Sequence, residues 1–420
     1  MNITLDNRKT EGRVRVIESK SFAHRIMLSA SLAKAMTGED TEIVIQGTSQ
    51  DIEATKRVIK ALDNKEAVID CGESGTTLRF TLPICAALGR REETRLTGHG
   101  RLMQRPMGPL IDAMTPHGVT VDFEEETNSL VCRGRMQSGT YEIAANVSSQ
   151  YISGLLFALP ILEGDSVLKL VGKVESRPYI DITLEVLAQF GIEIQEDAEN
   201  QTFIIKGGQV YKSPGKAVVE GDWSNAAFWM ASGVASGRTV KVEGLNLNSI
   251  QGDRAVCSVL RQFGADIIED GDSVICSCRP GQLHGTEISA ADIPDMVPVL
   301  SVIAAISEGD TLFYDAGRLR IKESDRIETT KAMLNALGVE VETGEEWMKV
   351  HGRGSSQASG ILDGGTVDGA NDHRIVMSAA VAAISCKNPV TIEGAQAVNK
   401  SYPGFFEERE ILCQVHTENI

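Results

Sequence analysis

The chain has 420 residues, 42% of them hydrophobic, 5% aromatic and 24% charged, with a formal net charge of −17. That length favours two or three domains, and the acidic balance argues against nucleic-acid and anionic-membrane partners, which require a basic face. Eight dispersed cysteines without metal-ligand spacing read as reduced thiols, no run approaches the roughly 20 apolar residues of a membrane helix, and the first residues lack the apolar stretch of a signal peptide; a cytoplasmic location is expected.

In chain order, the first chemical cluster is Ser19-Lys20-Ser21 with Arg25, which precedes an apolar helix expected over Ile26 to Ala35. Free N–H groups at such a start, beside a Lys ammonium, suit an anion. Gly72-Glu73-Ser74-Gly75-Thr76-Thr77-Leu78-Arg79 repeats the logic: a Gly-rich turn opens a helix, and Gly75 admits a ligand close to the backbone. It is no Walker loop, because no Gly-Lys-Ser/Thr follows at the required spacing. Arg101 and Arg105 fall in a turn, and Pro106 is expected at the first position of the next helix. Ser148-Ser149-Gln150 places three neutral hydrogen-bonding side chains at a helix start, suited to phosphate or sugar-like hydroxyls. Ser176-Arg177-Pro178-Tyr179 opens another helix at Pro178.

Four segments read as amphipathic helix, glycine, alternating strand, with Gly118, Gly191, Gly264 and Gly338 at the junctions. Each glycine suits the left-handed position after a helix, where a Cβ clashes. The interval of about 73 residues matches no short solenoid repeat, and is read as a βαβ-type module used several times. A boundary between halves is expected around Val219 to Ser224, after the turn-rich Lys212 to Lys216, with Asp222 or Ser224 capping a small-residue helix from Asn225 to Ser236.

The second half carries further starts. Asp295 precedes a helix from Met296 to Ile306 and reads as its cap. Lys322-Glu323-Ser324-Asp325-Arg326 sets Lys322 and Arg326 at i and i+4, on one helical face; among those cations Glu323 is a candidate general base. Asn371-Asp372-His373-Arg374 reads as a capped helix start, and Asn399-Lys400 adds another cation. Taken singly, each cluster is an ordinary cap with solvated charges. So many of them in one acidic chain point to small anions gathered at one place.

The ordered set, above all Ser148-Ser149-Gln150, Ser176-Arg177-Pro178-Tyr179-Ile180-Asp181-Ile182-Thr183-Leu184, Asn248-Ser249-Ile250-Gln251-Gly252-Asp253, Lys322-Glu323-Ser324-Asp325-Arg326 and Asn371-Asp372-His373-Arg374, resembles the 5-enolpyruvylshikimate-3-phosphate synthase family from about Arg15 to Phe406. The resemblance implies an α/β fold: two similar inside-out α/β barrel domains, each of three βαβ-containing units, joined by a hinge crossed twice. It implies one domain from 1–14 with 222–420, the other from 15–221, and an active site in the cleft between them.

It further implies transfer of the enolpyruvyl group of phosphoenolpyruvate to the 5-hydroxyl of shikimate 3-phosphate by addition–elimination, in the shikimate pathway to chorismate. By similarity, Lys20, Ser21, Arg25, Ser148, Ser149, Gln150, Ser176, Tyr179, Asp295 and Lys322 hold shikimate 3-phosphate. Lys20, Gly75, Arg105, Gln150, Arg326, Arg374 and Lys400 hold phosphoenolpyruvate, with Arg79 and His373 nearby. Asp295, Glu323, Lys322, Lys20 and His373 form the catalytic set, with Glu323 as proton donor to C3 and Asp295, aided by Lys322, as base toward the hydroxyl. Division of the proton transfers between the two carboxylates stays open. No metal or organic cofactor is expected, and the chain is expected to act as a monomer on its two small-molecule substrates.

The resemblance leaves two rivals. A UDP-N-acetylglucosamine enolpyruvyl transferase shares fold and donor, but typically carries a Cys in the loop that here runs Arg101 to Gln104. A non-catalytic anion-binding homologue needs the cations but not the carboxylates. Against the family pattern, Ile17-Glu18 stands for Pro-Gly, Glu73 for Asn, Phe80 for Pro and Arg318 for Asn. Gly75 leaves the space used by the herbicide glyphosate in sensitive members, so sensitivity is expected.

Overall fold

The computed structural model describes residues 1–354 and 360–414. They form two compact units: a discontinuous one, Met1–Glu18 with Glu220–Ile420, and a continuous one, Ser19–Val219.

Each unit carries three sheets among the described residues. In the discontinuous unit, one runs Gly12–Arg15, Val240–Glu243, Ser273–Ser277, Asp266–Asp270, and another Glu287–Ser289, Glu308–Tyr314, Met348–Arg353, Val341–Thr343. In the continuous unit, the matching pair runs Val68–Asp70, Glu93–Thr97, Ser129–Gly134, Val119–Glu124, and Thr140–Ala144, Ser166–Val171, Thr202–Ile205, Ile194–Asp197. All four share one pattern, a parallel pair extended by two antiparallel strands. The third sheets are smaller. Ile3–Leu5, Val390–Glu393 and Gly365–Asp368 form one, and Lys216–Val218 pairs with Glu42–Val44 in the other.

The module read from the glycine spacing is this four-stranded unit. Gly118, Gly191, Gly264 and Gly338 all have positive φ, between 76° and 102°, and each precedes an outermost antiparallel strand. At Gly264 a Cβ would stand 2.5 Å from the Gln282 carbonyl oxygen, so both the backbone conformation and the space demand glycine.

The layering is inside-out for a physical reason. Helices Trp223–Ser236, Val297–Ala305 and His373–Ala383 have every residue buried and pack against one another. A helix apolar on all sides has no face to offer water and must lie inside. Each is backed by its own sheet, whose strands alternate buried and more exposed positions, as in Val240–Glu243 and Val390–Glu393. In the continuous unit, Gly75–Leu88 and Ser149–Ala158 pack along each other in the same interior role.

The eight cysteines are free thiols. Among the described residues no helix is long and apolar enough to cross a membrane, and no group of His, Cys, Asp and Glu side chains is arranged to hold a metal ion.

Candidate active site

In the continuous unit the anion-type helix starts meet. The first helix runs Lys20–Thr37, so Lys20 and Ser21 lie in its first turn rather than ahead of a helix at Ile26. Nothing between Ser19 and Ile26 resists helical backbone, and the apolar face already begins at Phe22. Lys20 Nζ donates to Asp51 Oδ2 at 2.8 Å, so the lysine has a local counter-ion on the neighbouring helix Gln50–Asp63.

Arg25 is buried and ties its own helix to Arg177–Gln189. Its Nε donates to Thr183 Oγ1 at 2.7 Å, Nη1 to the Ser21 carbonyl at 2.7 Å, and Nη2 to the Tyr179 carbonyl at 2.9 Å. Its guanidinium also lies 5.0 Å from the Phe80 ring. Burial pushes Arg25 down to about 9, which leaves it cationic at neutral pH.

The Gly75 helix start works with two other segments. Ser74 caps Gly75–Leu88 by accepting from the Thr77 amide. A Cβ on Gly75 would sit 2.6 Å from Arg105 Nη1, so the missing side chain is what lets the Arg105 guanidinium rest over this helix start. Gln150 is fixed at both ends: its Oε1 accepts from Arg79 Nη1 at 2.6 Å and its Nε2 donates to Thr76 Oγ1 at 2.8 Å. Tyr151 donates its hydroxyl to the Pro106 carbonyl, and Arg79 Nη2 donates to the same oxygen at 3.2 Å. Pro106 itself does not open a helix. The next one is Gly108–Met114, with Pro109 in its first turn, and Pro106 instead supplies a carbonyl acceptor.

Ser148 caps Ser149–Ala158, accepting from the Gln150 amide at 3.3 Å, and Ser149 is buried beside it. Ser176 precedes Arg177–Gln189 at φ 52°, a strained position for a residue with a side chain, and Tyr179 lies in that helix's first turn.

The discontinuous unit assembles the carboxylates. Arg326, 1% exposed, donates through Nη1 to Asp295 Oδ1 at 2.7 Å, through Nη2 to Glu323 Oε2 at 2.6 Å, and through Nε to Asp372 Oδ2 at 2.8 Å. Asp372, fully buried, also accepts from the Ser324 hydroxyl and caps His373–Ala383 through the Arg374 amide. Asp295 further receives Lys322 Nζ at 3.2 Å, and Arg374 Nη2 lies 3.7 Å away. Burial pushes the Asp295 carboxyl up, but Lys322, Arg326 and Arg374 together outweigh it and hold it well below the usual carboxylate range. Burial lowers the proton affinity of Lys322; Asp295 opposes this, and Arg318 and Arg326 reinforce it.

Two local readings are corrected here. Asp295 is not a cap: the helix begins at Val297 without a side-chain cap, and three cations draw the carboxylate elsewhere. Lys322 and Arg326 do not share a helical face. Asp325 caps the helix Arg326–Ala336 by accepting from the Glu328 amide, so Lys322 is in extended backbone before it, and the two cations meet through Asp295 instead.

Arg374 is held by Ser224, whose hydroxyl accepts at 2.7 Å and whose carbonyl accepts at 3.0 Å. Ser224 in turn donates to Asp222 Oδ1 at 2.6 Å, and Asp222 caps the helix Trp223–Ser236. Lys400 Nζ donates to the Asn371 carbonyl at 2.9 Å, from a turn in which both Ala370 and Asn371 have positive φ. His373 is buried, its Nδ1 3.9 Å from Asp372 Oδ1. Sequence reasoning passed over Asp51, the hold of Ser224 on Arg374 and the second role of Asp372, because each acts on a partner far away in the chain. The motif Asn371 to Arg374 contained Asp372, but nothing local in it marks that carboxylate as the partner of Arg326.

With that geometry in place, the comparisons decide the family. A family model described as EPSP synthase (3-phosphoshikimate 1-carboxyvinyltransferase) matches residues 57–408. The chain belongs to the EPSP synthase family. It is 37% identical to the 3-phosphoshikimate 1-carboxyvinyltransferase of Clostridium kluyveri over 97% of this chain and 96% of the relative. It is 38% identical to that of Clostridium perfringens, over 96% of each. The fold matches an EPSP synthase structure from Acinetobacter baumannii at TM-score 0.78 and 24% identity, covering 98% of this chain and 97% of that one. It also matches the enolpyruvyl transferase NikO from Streptomyces tendae, at TM-score 0.75 and 16% identity over 98% and 96%.

The departures from the EPSP synthase pattern are accommodated locally. Ile17 accepts from the Asp222 amide at 2.9 Å and Glu18 bridges Gly221, so this segment is extended backbone. The Glu73 carboxylate lies against Gly100, where a Cβ would approach it to 2.9 Å. Phe80 is fully buried, 5.3 Å from the Phe157 ring, and gives Arg25 an aromatic face. Arg318, in the turn Gly317–Ile321, adds a cation whose effect falls on Lys322.

Proposed function

We propose that this protein transfers the enolpyruvyl group of phosphoenolpyruvate to the 5-hydroxyl of shikimate 3-phosphate, releasing phosphate. The observation that carries the reading is the pair of carboxylates, Asp295 and Glu323, held by the single buried guanidinium of Arg326. A binder of anions needs cations; it has no use for two carboxylates, presented at side-chain exposures of 21% and 25%. The near full-length likeness to carboxyvinyltransferases supports the same acceptor and donor.

In the addition step the 5-hydroxyl oxygen bonds to C2 of phosphoenolpyruvate, its proton leaves, and C3 gains a proton, giving a tetrahedral ketal. In the elimination step C3 loses a proton and the C2–O bond to phosphate breaks. Glu323 suits the proton exchange at C3. A carboxylate stabilised by three cations is a weak base, so Asp295 alone is poorly suited to strip a hydroxyl. Lys322 beside it binds its own proton loosely, and the Asp295–Lys322 pair together offers the proton a place to go.

Two phosphates and the phosphoenolpyruvate carboxylate require several cations. Lys20, Arg25, Ser21, Ser148, Ser149, Gln150, Ser176 and Tyr179 are assigned to shikimate 3-phosphate, with Asp295 and Lys322 at its hydroxyls. Lys20, Gly75, Arg105 and Gln150, together with Arg326, Arg374 and Lys400, are assigned to phosphoenolpyruvate, and His373 to the proton-transfer set. Arg326 acts chiefly as the holder of the carboxylates, since its nitrogens are already committed to them. The reading requires both units to address the same pair of substrates. Such highly charged metabolites support a cytoplasmic site of action.

The test is phosphate release by the purified protein given phosphoenolpyruvate and shikimate 3-phosphate, with UDP-N-acetylglucosamine as control acceptor. Release with shikimate 3-phosphate alone is expected. Release only with the nucleotide sugar, or with neither, overturns the assignment.

A further inference from the structure

His24 is buried, has no place in the chemistry above, and heads an ordered chain of hydroxyls. Its Nδ1 lies 2.7 Å from Thr55 Oγ1, Thr55 Oγ1 lies 2.7 Å from Thr77 Oγ1, and Thr77 Oγ1 donates to Ser74 Oγ at 2.7 Å. All four side chains are essentially inaccessible, with exposures of 1%, 0%, 0% and 1%. His24 Nε2 is buried with no hydrogen-bond partner among the described residues.

The proton count fixes the direction. Each threonine has one hydroxyl hydrogen. Thr77 gives its hydrogen to Ser74, so it must accept from Thr55. Thr55, having given its hydrogen to Thr77, must accept from His24. The imidazole is therefore the Nδ1–H tautomer, and its bare Nε2 carries no proton. A proton added at Nε2 would find no acceptor and would stand beside Lys20 and Arg25, and burial with those two cations keeps this histidine neutral.

The far end of the chain is functional ground. Ser74 is the cap of Gly75–Leu88, the helix start over which Arg105 rests, and Thr77 supplies both the capped amide and the hydroxyl below it. The near end is the first helix, which bears Lys20 one turn before His24. The relay thus ties the element carrying Lys20 to the element carrying Gly75.

From this juxtaposition we infer that His24 is a positioning residue for the phosphoenolpyruvate site: its Nδ1–H, passed through Thr55 and Thr77, holds the Ser74 cap and sets the Gly75 helix start relative to Lys20. The inference rests on the reading that Lys20, Gly75 and Arg105 bind phosphoenolpyruvate. It assigns His24 a task done through other residues, without substrate contact.

The experiment is steady-state kinetics of wild type, His24→Leu, His24→Asn, Thr77→Val and the double variant His24→Leu/Thr77→Val, varying each substrate in turn. His24→Leu and Thr77→Val are expected to raise KM for phosphoenolpyruvate about tenfold, with kcat and KM for shikimate 3-phosphate within about twofold. The amide N–H of His24→Asn restores the donor and should bring KM back to within about threefold of wild type. The double variant should be no worse than either single one, because both break the same chain.

Equal KM values across all variants, an additive double variant, or an asparagine as damaging as leucine would each overturn the inference. A wild type without phosphate release would instead sink the functional reading beneath it. Should the leucine variant not fold, the wild type still decides: nitrogen-15 NMR near neutral pH, with the His24→Asn spectrum for assignment, must show an Nδ1–H tautomer, and an Nε2–H tautomer refutes the relay.

Discussion

Arg326 and Asp372 form an ion pair closed off from water, with Nε to Oδ2 at 2.8 Å and side-chain exposures of 1% and 0%. Because the remaining guanidinium nitrogens of Arg326 reach Asp295 and Glu323, this hidden pair is the anchor from which both half-buried carboxylates hang. Asp372 also caps the helix that carries His373 and Arg374, so one fully buried carboxylate positions residues of two sequence motifs.

Arg326→Ala should therefore hurt stability as well as activity. It strands a buried Asp372, and breaking a buried pair from one side typically costs about 3–5 kcal/mol. Urea unfolding should show a loss of that size. Arg326→Lys keeps a charge but loses the fork, and should recover part of the stability while turnover remains depressed about 100-fold. A lysine variant with wild-type kcat would show that the three-way grip is dispensable.

Glu323→Gln keeps the shape and the contact with Arg326 while removing the titrating proton. If Glu323 serves C3, kcat should drop by roughly 10²–10⁴-fold with KM for both substrates within about threefold. Solvent deuterium offers a sharper readout: hydrogen exchange into the methylene of phosphoenolpyruvate should slow in parallel. Unchanged exchange would move the proton transfer to another group.

What the sequence made legible was local. The helix starts at Gly75, Ser149 and Arg177-Pro178, the capped start before His373, the Asp222 or Ser224 cap and the αL glycines are readable because each depends on residues within one turn. The repeating glycine made a recurring βαβ-type module legible, while the inside-out α/β organisation was implied only by the family resemblance. Partners far apart were not legible. Arg374 meets Ser224 across 150 positions and Arg326 meets Asp372 across 46, and no local pattern encodes which cap will also serve as a counter-ion. The misplacement of Lys322 on a helix has the same origin: Asp325 caps the helix at Arg326 and the distant Asp295 gathers Lys322, Arg326 and Arg374, whereas two like charges at i, i+4 on one helical face would repel by about 0.2–0.5 kcal/mol.

Gly75→Ala places a methyl 2.6 Å from Arg105 Nη1, and the side chain must yield because the helix backbone cannot. Arg105 then leaves the helix start. KM for phosphoenolpyruvate should rise about tenfold, the loss of one charge-assisted contact, with KM for shikimate 3-phosphate little changed. Glyphosate should compete with phosphoenolpyruvate in the wild type and inhibit this variant more weakly. Non-competitive inhibition of the wild type, or a variant inhibited as strongly, would remove Gly75 and Arg105 from the donor site.

Lys322→Met tests the electrostatics of Asp295. In the wild type the Asp295 carboxyl is depressed in the folded state, so its contribution to stability is fully present above the unfolded carboxylate value near 4 and is lost only as pH falls through the lower folded value. Removing Lys322, the foremost of the three opposing cations, leaves burial less opposed and raises the folded value. Two consequences share a sign. The acid limb of kcat/KM should move to higher pH in the variant, because Asp295 loses its charge sooner. The stability advantage of wild type over variant, measured by urea unfolding, should be larger near pH 7 than at the acid end of the titration, where the Asp295 carboxyl of the variant protonates before that of the wild type. An acid limb unmoved by Lys322→Met, with a pH-independent stability difference, would mean that Arg326 and Arg374 alone keep Asp295 ionised, and would leave Lys322 with substrate binding as its remaining task.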